Sequence, residues 1–222
     1  MQTPVWQSSL DTFRGALASA EPVPAGVAAS AAAASFGFGL LAKVSKVSSR
    51  KEEFSSSVAK LDSLADKART ESKRMLQFAE EDVAAFNAYL AGARMPQSTD
   101  REQADRERAQ DAALQKAIEI PLEAAKASAA GIGLCAEATS LTHSAVVADL
   151  GAAVSLLAGA MRVFHLCAES NIRQLAGEIT QYKGFVAERT ERESRALRQA
   201  DSVLKQAAAA IEMAGARRGP KP

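Results

Sequence analysis

Aromatic side chains are scarce in this 222-residue chain, 5 % of the total against 47 % hydrophobic residues. The apolar share is carried by alanine, which favours helices and close helix packing over strands and argues against an extensive β-sheet. Only two cysteines are present, Cys135 and Cys167. They do not make the dense framework of a small secreted domain, so a reducing, cytoplasmic compartment is expected. Neither sign of charge dominates, with 27 Lys and Arg against 26 Asp and Glu. Nothing in that balance recommends a nucleic-acid or membrane partner. His143 and His165 are the only histidines, and no Cys/His/Asp grouping has metal-ligand spacing, so no metal is expected. A long run rich in Leu, Ile or Phe is also missing. The uncharged stretch from Pro22 to Ala42 is mostly Ala, Ser and Gly, which reads as a buried helix rather than a membrane span. The segment before it carries Asp11 and Glu21 and does not read as a signal peptide.

The length suits one helical domain with a real core. Breaks fall at 22–26, near Ser48-Ser49-Arg50, at 94–100 around Pro96, at 137–142, and after Gly215. They predict a single domain over 1–215, of about six mostly long antiparallel helices, with a disordered tail at 216–222. In the longest segment Phe54, Val58, Leu61, Ala65, Ala68, Met75, Ala79, Val83, Phe86 and Leu90 stack on one stripe of a 3.6-residue period, which predicts a helix from about Glu52 to Ala93. Another, from about Arg101 to Glu137, contains Pro121, and a bend near Ile120 is expected. Further helices are predicted from about Ser144 to Ile172 and from about Ile179 to Met213.

Several runs then stop being generic helix. They are Pro22-Val23-Pro24-Ala25-Gly26, then Glu81-Asp82-Val83-Ala84-Ala85-Phe86 with Met95-Pro96 beyond it, then Ile120-Pro121-Leu122-Glu123-Ala124-Ala125, and finally Ala148-Asp149-Leu150-Gly151-Ala152-Ala153 running on to Arg162 and Asn171. In these runs and their spacing the chain resembles the formiminotetrahydrofolate cyclodeaminase and methenyltetrahydrofolate cyclohydrolase family over nearly its whole length. The resemblance implies an all-α homodimer that binds reduced folate as substrate, with no tightly bound cofactor. Its members do chemistry at a carbon held between two nitrogens, expelling ammonia from formimino-tetrahydrofolate or adding water to methenyl-tetrahydrofolate. Long amphipathic helices with more apolar face than one subunit covers point to the same dimer.

Asp82 is the candidate catalytic residue. It corresponds to the carboxylate the family uses, and its place between Ala79 and Phe86 sets it at the edge of the apolar stripe. Partial desolvation there raises a carboxylate's pKa and suits it to acid/base work, while its charge stabilises a cationic intermediate. The competing reading is a solvated acid beside Glu80 and Glu81. The candidate substrate-binding residues are Ala25, Gly26, Val27, Lys51, Phe86, His143, Asp149, Cys167 and Asn171. Asp149 is either a pocket carboxylate or an acid complementing a helix dipole. Cys167 stands where the family prefers asparagine and reads as a packing cysteine. Lys51 matches a basic family position and adjoins Lys43, Lys46 and Arg50, a cluster that suits either a ligand anion or a helix C-terminus. His143 replaces a family asparagine and is either a ligand contact or an exposed loop residue.

The family's P-x-P-G-G-G loop has become Pro22-Val23-Pro24-Ala25-Gly26-Val27. Two glycines that let backbone amides approach a ligand closely are gone. Three readings follow: a one-carbon tetrahydrofolate enzyme, a ring-forming enzyme working through an iminium on a non-folate amine and aldehyde in the Pictet–Spengler manner, or a non-catalytic helical scaffold. A cavity that gathers Asp82 with Val27, His143, Asp149 and Cys167 favours the enzymes, and Lys51 within reach of it favours folate.

Overall fold

The computed structural model describes residues 5–174 and 179–216, and among these residues every regular element is helical. The predicted tail lies, from residue 217 onward, outside the described residues. The chain begins with a short turn and α1 (Leu10–Leu17), then lays down five long helices: α2 (Gly26–Ser48), α3 (Val58–Ala93), α4 (Asp100–Ala138), α5 (Val147–Ile172) and α6 (Ile179–Ala216). Helix α2 packs on α3 and α5, α4 packs on the same two, and α6 lies on α5 and α4.

Local chemistry sets the ends of these helices. The helix expected from Glu52 starts at Val58, and Glu52–Ser57 winds as a 3-10 turn with Phe54 at φ −112, ψ 16. Three consecutive serines there compete with the helix through their own backbone hydrogen bonds. Helix α4 opens on a capping box, in which Thr99 Oγ1 accepts the Glu102 amide at 3.2 Å and the Glu102 carboxylate accepts the Thr99 amide at 3.0 Å. A 3-10 turn at Ser144–Val146 leads into α5, with His143 as its cap.

A core poor in aromatics closes by bringing helices near to one another. A methyl group at Gly131 of α4 would lie 2.5 Å from Phe38 Cε1 of α2, and one at Gly37 would lie 3.0 Å from the Ala153 carbonyl oxygen of α5. Between α2 and α3 the Ser72 hydroxyl lies 3.0 Å from Ser35 Oγ and donates to the Ser35 carbonyl at 3.1 Å. Phe38, Leu41, Leu64, Met75, Leu157 and Phe164 are buried around these contacts. On the far side His165 is buried, its Nδ1 2.9 Å from Glu193 Oε2 of α6, and loss of solvation holds its pKa below the ordinary histidine value.

Proline 121 does not interrupt α4, which runs unbroken from Asp100 to Ala138. A proline lacks the amide that would bond the carbonyl four residues back, here that of Ala117. The Asn171 side-chain amide on α5 donates to that oxygen at 2.8 Å. The carbonyl freed by the proline is therefore satisfied by a neighbouring helix, and the two family-like positions form one structural unit. Asn171→Ala is expected to cost about 1–2 kcal/mol in urea denaturation, the usual penalty for stranding a partly buried acceptor. In a Pro121→Ala background the new amide restores the helix bond, and the penalty should fall below about 0.5 kcal/mol. Equal penalties in both backgrounds would break the pairing.

Candidate functional site

A cavity of about 260 Å³ opens where the start of α2, the last third of α3, the middle of α4 and the end of α5 converge. Helix α3 contributes Asp82, Phe86 and Tyr89, one side chain from each of three successive turns. Helix α5 contributes Cys167, Ser170 and Asn171 by the same periodicity, and Gln174 lines the cavity from the turn just past its end. Leu114 and Ala117 of α4 close one side, and Pro22, Val23, Ala25, Gly26 and Val27 close the other.

The first turn of α2 belongs to this wall. Ala25 caps the helix without a side-chain hydrogen bond, and the first amide to close a helical turn onto it is that of Ala29, donating to the Ala25 carbonyl at 3.0 Å. The amides of Gly26 and Val27 precede that ladder and give the cavity the positive end of the helix dipole. A side chain at position 26 would crowd the cysteine, its first carbon lying 3.1 Å from Cys167 Sγ. The one glycine kept from the altered loop is thus the one that packs directly against the cysteine.

Asp82 is half-buried, and burial pushes its pKa up to about 6. Both its ionised and protonated forms are then accessible near neutrality, as a general acid or base requires. The Cys167 thiol is also pushed upward, first by burial and then by the negative charge of Asp82. It stays a neutral thiol rather than a thiolate nucleophile. Among the described residues no Lys, Arg or His lines the cavity, and Asp82 is the acidic side chain in its wall.

The expected site residues divide between two ends of the molecule. Ala25, Gly26, Val27, Asp82, Phe86, Cys167 and Asn171 come together in the cavity. Lys51, His143 and Asp149 do not reach it. Asp149 and Cys167 share α5 but are separated by 18 residues, about 27 Å at 1.5 Å per residue. At that far end Asp149 pairs with Lys43 at 2.8 Å, and Lys46 pairs with Asp62 at 2.8 Å. Two of the four clustered cations are therefore held by carboxylates of the neighbouring helices. His143 serves the backbone: its amide donates to Ser48 Oγ at 3.0 Å, and its Nδ1 accepts the Ala145 amide at 3.2 Å. Lys51 lies just past the C-terminus of α2, on the N-cap of the following 3-10 turn.

Tyr89, Ser170 and Gln174 also line the cavity, although the sequence did not single them out. Their signal was present as helical spacing, Tyr89 two turns beyond Asp82 and Ser170 and Gln174 one and two turns beyond Cys167. A larger groove, of about 850 Å³, runs between α3 and α4 past Asp66, Glu71, Arg74, Glu123 and Lys126. Its charges pair along their own helices, as in Arg74–Glu71 and Lys126–Glu123, and it has the character of a solvated channel. Among the described residues no three His, Cys, Asp or Glu side chains form a group able to hold a metal ion.

Comparison with known proteins agrees with this geometry. The family described as formiminotransferase-cyclodeaminase matches residues 9–192. The chain is similar to the methenyltetrahydrofolate cyclohydrolase of Methylorubrum extorquens, 26 % identical over 186 residues that span 81 % of this chain and 89 % of that protein. In fold it is similar to the crystal structure of formiminotetrahydrofolate cyclodeaminase from Thermotoga maritima, with a TM-score of 0.75 at 15 % identity over 94 % of this chain and 98 % of that one. The matched residues run from α1 into α6 and include every element that lines the cavity, so this chain belongs to the formiminotransferase-cyclodeaminase family.

Proposed function

We propose that this chain is an enzyme acting on a C–N bond at an amidine- or iminium-type carbon, with a one-carbon tetrahydrofolate as substrate and Asp82 as its acid/base. The observation that carries the reading is the half-buried Asp82 carboxyl in a cavity walled by Phe86, Tyr89 and the first turn of α2. In the hydrolytic direction the Asp82 carboxylate takes a proton from water as the water oxygen bonds the cationic methenyl carbon. One C–N bond then breaks as Asp82 returns its proton to the departing nitrogen, and the new hydroxyl releases its proton to solvent as the formyl carbonyl forms. The carboxylate's charge also offsets the positive carbon before attack, and a cavity that excludes bulk water strengthens that attraction. For a formimino substrate the same carboxyl, once protonated, delivers the proton that lets ammonia depart.

A second reading has its own support. Among the described residues no basic side chain lines the cavity, so the carboxylates of a folate tail find no counter-charge among them, whereas a cationic amine is matched by Asp82. Ala25 and Val27 further narrow the entrance where the family has glycines. An amine and an aldehyde closing a nitrogen ring through an iminium fits those walls. The scaffold reading is disfavoured by the open cavity, which a protein without a ligand would fill with side chains.

Loss of methenyl-tetrahydrofolate absorbance, followed with wild type and with Asp82→Ala against the buffer rate, separates these readings. A fast wild-type reaction reduced about 10²–10⁴-fold by the substitution is expected for a lost general base. A wild-type rate equal to buffer removes the folate substrate and moves the screen to amine and aldehyde pairs.

The acid/base role also carries a pH signature. With Asp82 working as a base, kcat/KM for hydrolysis should fall about tenfold per pH unit below about 6 and level off above it. Stability should move the opposite way. Because the folded-state pKa lies above the ordinary aspartate value of 3.8, the folded protein holds an extra proton between these values and loses stability as pH rises from about 4 to about 6. Asp82→Asn should therefore be more stable than wild type at pH 8, by on the order of 2 kcal/mol, with the difference gone by about pH 4. Parallel stability curves for the two proteins would show that the carboxyl is not desolvated.

A further inference from the structure

Helix α3 separates two cavities. Asp82, Phe86 and Tyr89 face the first, whereas Glu80, Val83, Ala84 and Asn87, spaced three and four residues apart on the opposite side of the helix, line a second of about 430 Å³. Helix α1 forms the far wall with Phe13 and Ala16, and the linker into α2 adds Val23 and Pro24. The partition is thin at that linker, because Val23 belongs to both cavities. Helix α1 is capped by Ser9, whose Oγ accepts the Thr12 amide at 3.1 Å, yet none of its residues is buried. It roofs the space without filling it.

Among the described residues that line this second cavity, Glu80 is the charged one. Its Oε1 is buried with no hydrogen-bond partner. Other carboxylates of α3 find cations, Asp62 in Lys46 and Asp66 in Arg69. The positions three and four residues from Glu80 hold Leu76, Gln77, Val83 and Ala84, which offer none. A carboxylate oxygen buried in this way is costly unless a group from outside the chain meets its charge. Water meets few other partners there, since the surrounding walls are Phe13, Val23, Pro24 and Val83, and the Thr12 hydroxyl is engaged with Ser9 Oγ at 2.8 Å. A bare metal ion needs several ligands, and among the described residues no three His, Cys, Asp or Glu side chains form such a group.

We propose that the second cavity binds a small organic amine, its ammonium group on Glu80 and its apolar body against Phe13, Val23 and Val83. The volume falls in the usual range of small-molecule sites, about 300–1,000 Å³. An anionic ligand would meet the carboxylate with no Lys, Arg or His among the described wall residues to offset it, and a neutral apolar ligand would leave Glu80 unmatched. An ammonium–carboxylate contact sheltered by apolar walls is stronger than the same contact in water. Asn87, exposed at the rim, offers a hydrogen bond to a polar group at the ligand's outer end. An occupant here rests on the same Val23 side chain that walls the Asp82 cavity, so the two sites are neighbours. This proposal does not rest on the reaction assigned to Asp82.

Titration calorimetry of the full chain with 2-phenylethylamine tests it. The measurement is made on Asp82→Asn protein, in which the first cavity has lost the carboxylate that would also attract an amine. Saturable binding of one amine per chain is expected at up to millimolar concentration. Adding Glu80→Gln should weaken it at least about tenfold, the usual loss when a charged hydrogen-bond partner is removed. Adding Ala16→Trp instead should weaken it at least as much by filling the cavity from α1. Neither change threatens the fold, since glutamine keeps the size of glutamate and α1 buries no residue, and helical circular dichroism should stay unchanged. Absence of saturable binding would overturn the proposal, as would an affinity that Glu80→Gln leaves intact.

Discussion

Helix α2 is closely packed at three points along its length, where a Cβ added to Gly26, to Gly37 or to Gly131 of α4 would lie 3.1 Å from Cys167 Sγ, 3.0 Å from the Ala153 carbonyl oxygen and 2.5 Å from Phe38 Cε1. A chain with so few aromatics cannot fill wide gaps between helices, so its core depends on small residues that let backbones approach. That constraint positions the site. The start of α2, whose free amides face the cavity, is fixed by the Gly26–Cys167 contact, and the cysteine sits on the α5 turn that precedes Ser170 and Asn171. The thiol sits against the kept glycine, where a Cβ added to that glycine would lie 3.1 Å from the sulfur. The thiol and the rebuilt loop are therefore parts of one local repacking, and Gly26 is the loop residue that this repacking cannot release.

The helices themselves were legible in the sequence because they rest on periodicity and on breakers, both of which are local. The end of α2 at Ser48, the start of α5 and the turn around Pro96 fell where serine, proline and glycine interrupt the apolar stripe. Pro121 was legible as a lost donor. Its consequence was not, because the group that compensates, Asn171, lies 54 residues from the freed Ala117 carbonyl and meets it only after α4 and α5 pack. The serines before Val58 show the reverse case, where a sound apolar period was overridden at its end by poor local propensity.

The candidate site was legible in its faces but not in its ends. Periodicity and resemblance chose residues on the correct sides of α2, α3 and α5, and Asp82, Phe86, Cys167 and Asn171 meet as a result. Periodicity does not report which pole of a 30 Å helix a residue occupies relative to another helix. Asp149 and Cys167 lie on one helix with about 27 Å between them, and Lys51 and His143 collect at the pole of Asp149. The basic cluster looked available because its partners, Asp62 and Asp149, belong to other segments. Pairing across helices is what sequence spacing conceals.

The charge inventory that results constrains any chemistry the cavity performs. With no cation among the described residues of its walls, an ionised Asp82 has there the amide end of α2 and the ligand to balance it. Burial already disfavours its charged form, as the pKa of about 6 records. A cationic ligand therefore gains doubly, by direct attraction and by relieving a carboxylate that the empty cavity solvates poorly. A neutral or anionic group at the same place gains neither. The methenyl carbon of a folate and the iminium of a condensing amine both satisfy this demand. The two substrates differ in what lies beyond the reacting carbon, because a folate carries an anionic tail that must leave this cavity and find its counter-charge elsewhere.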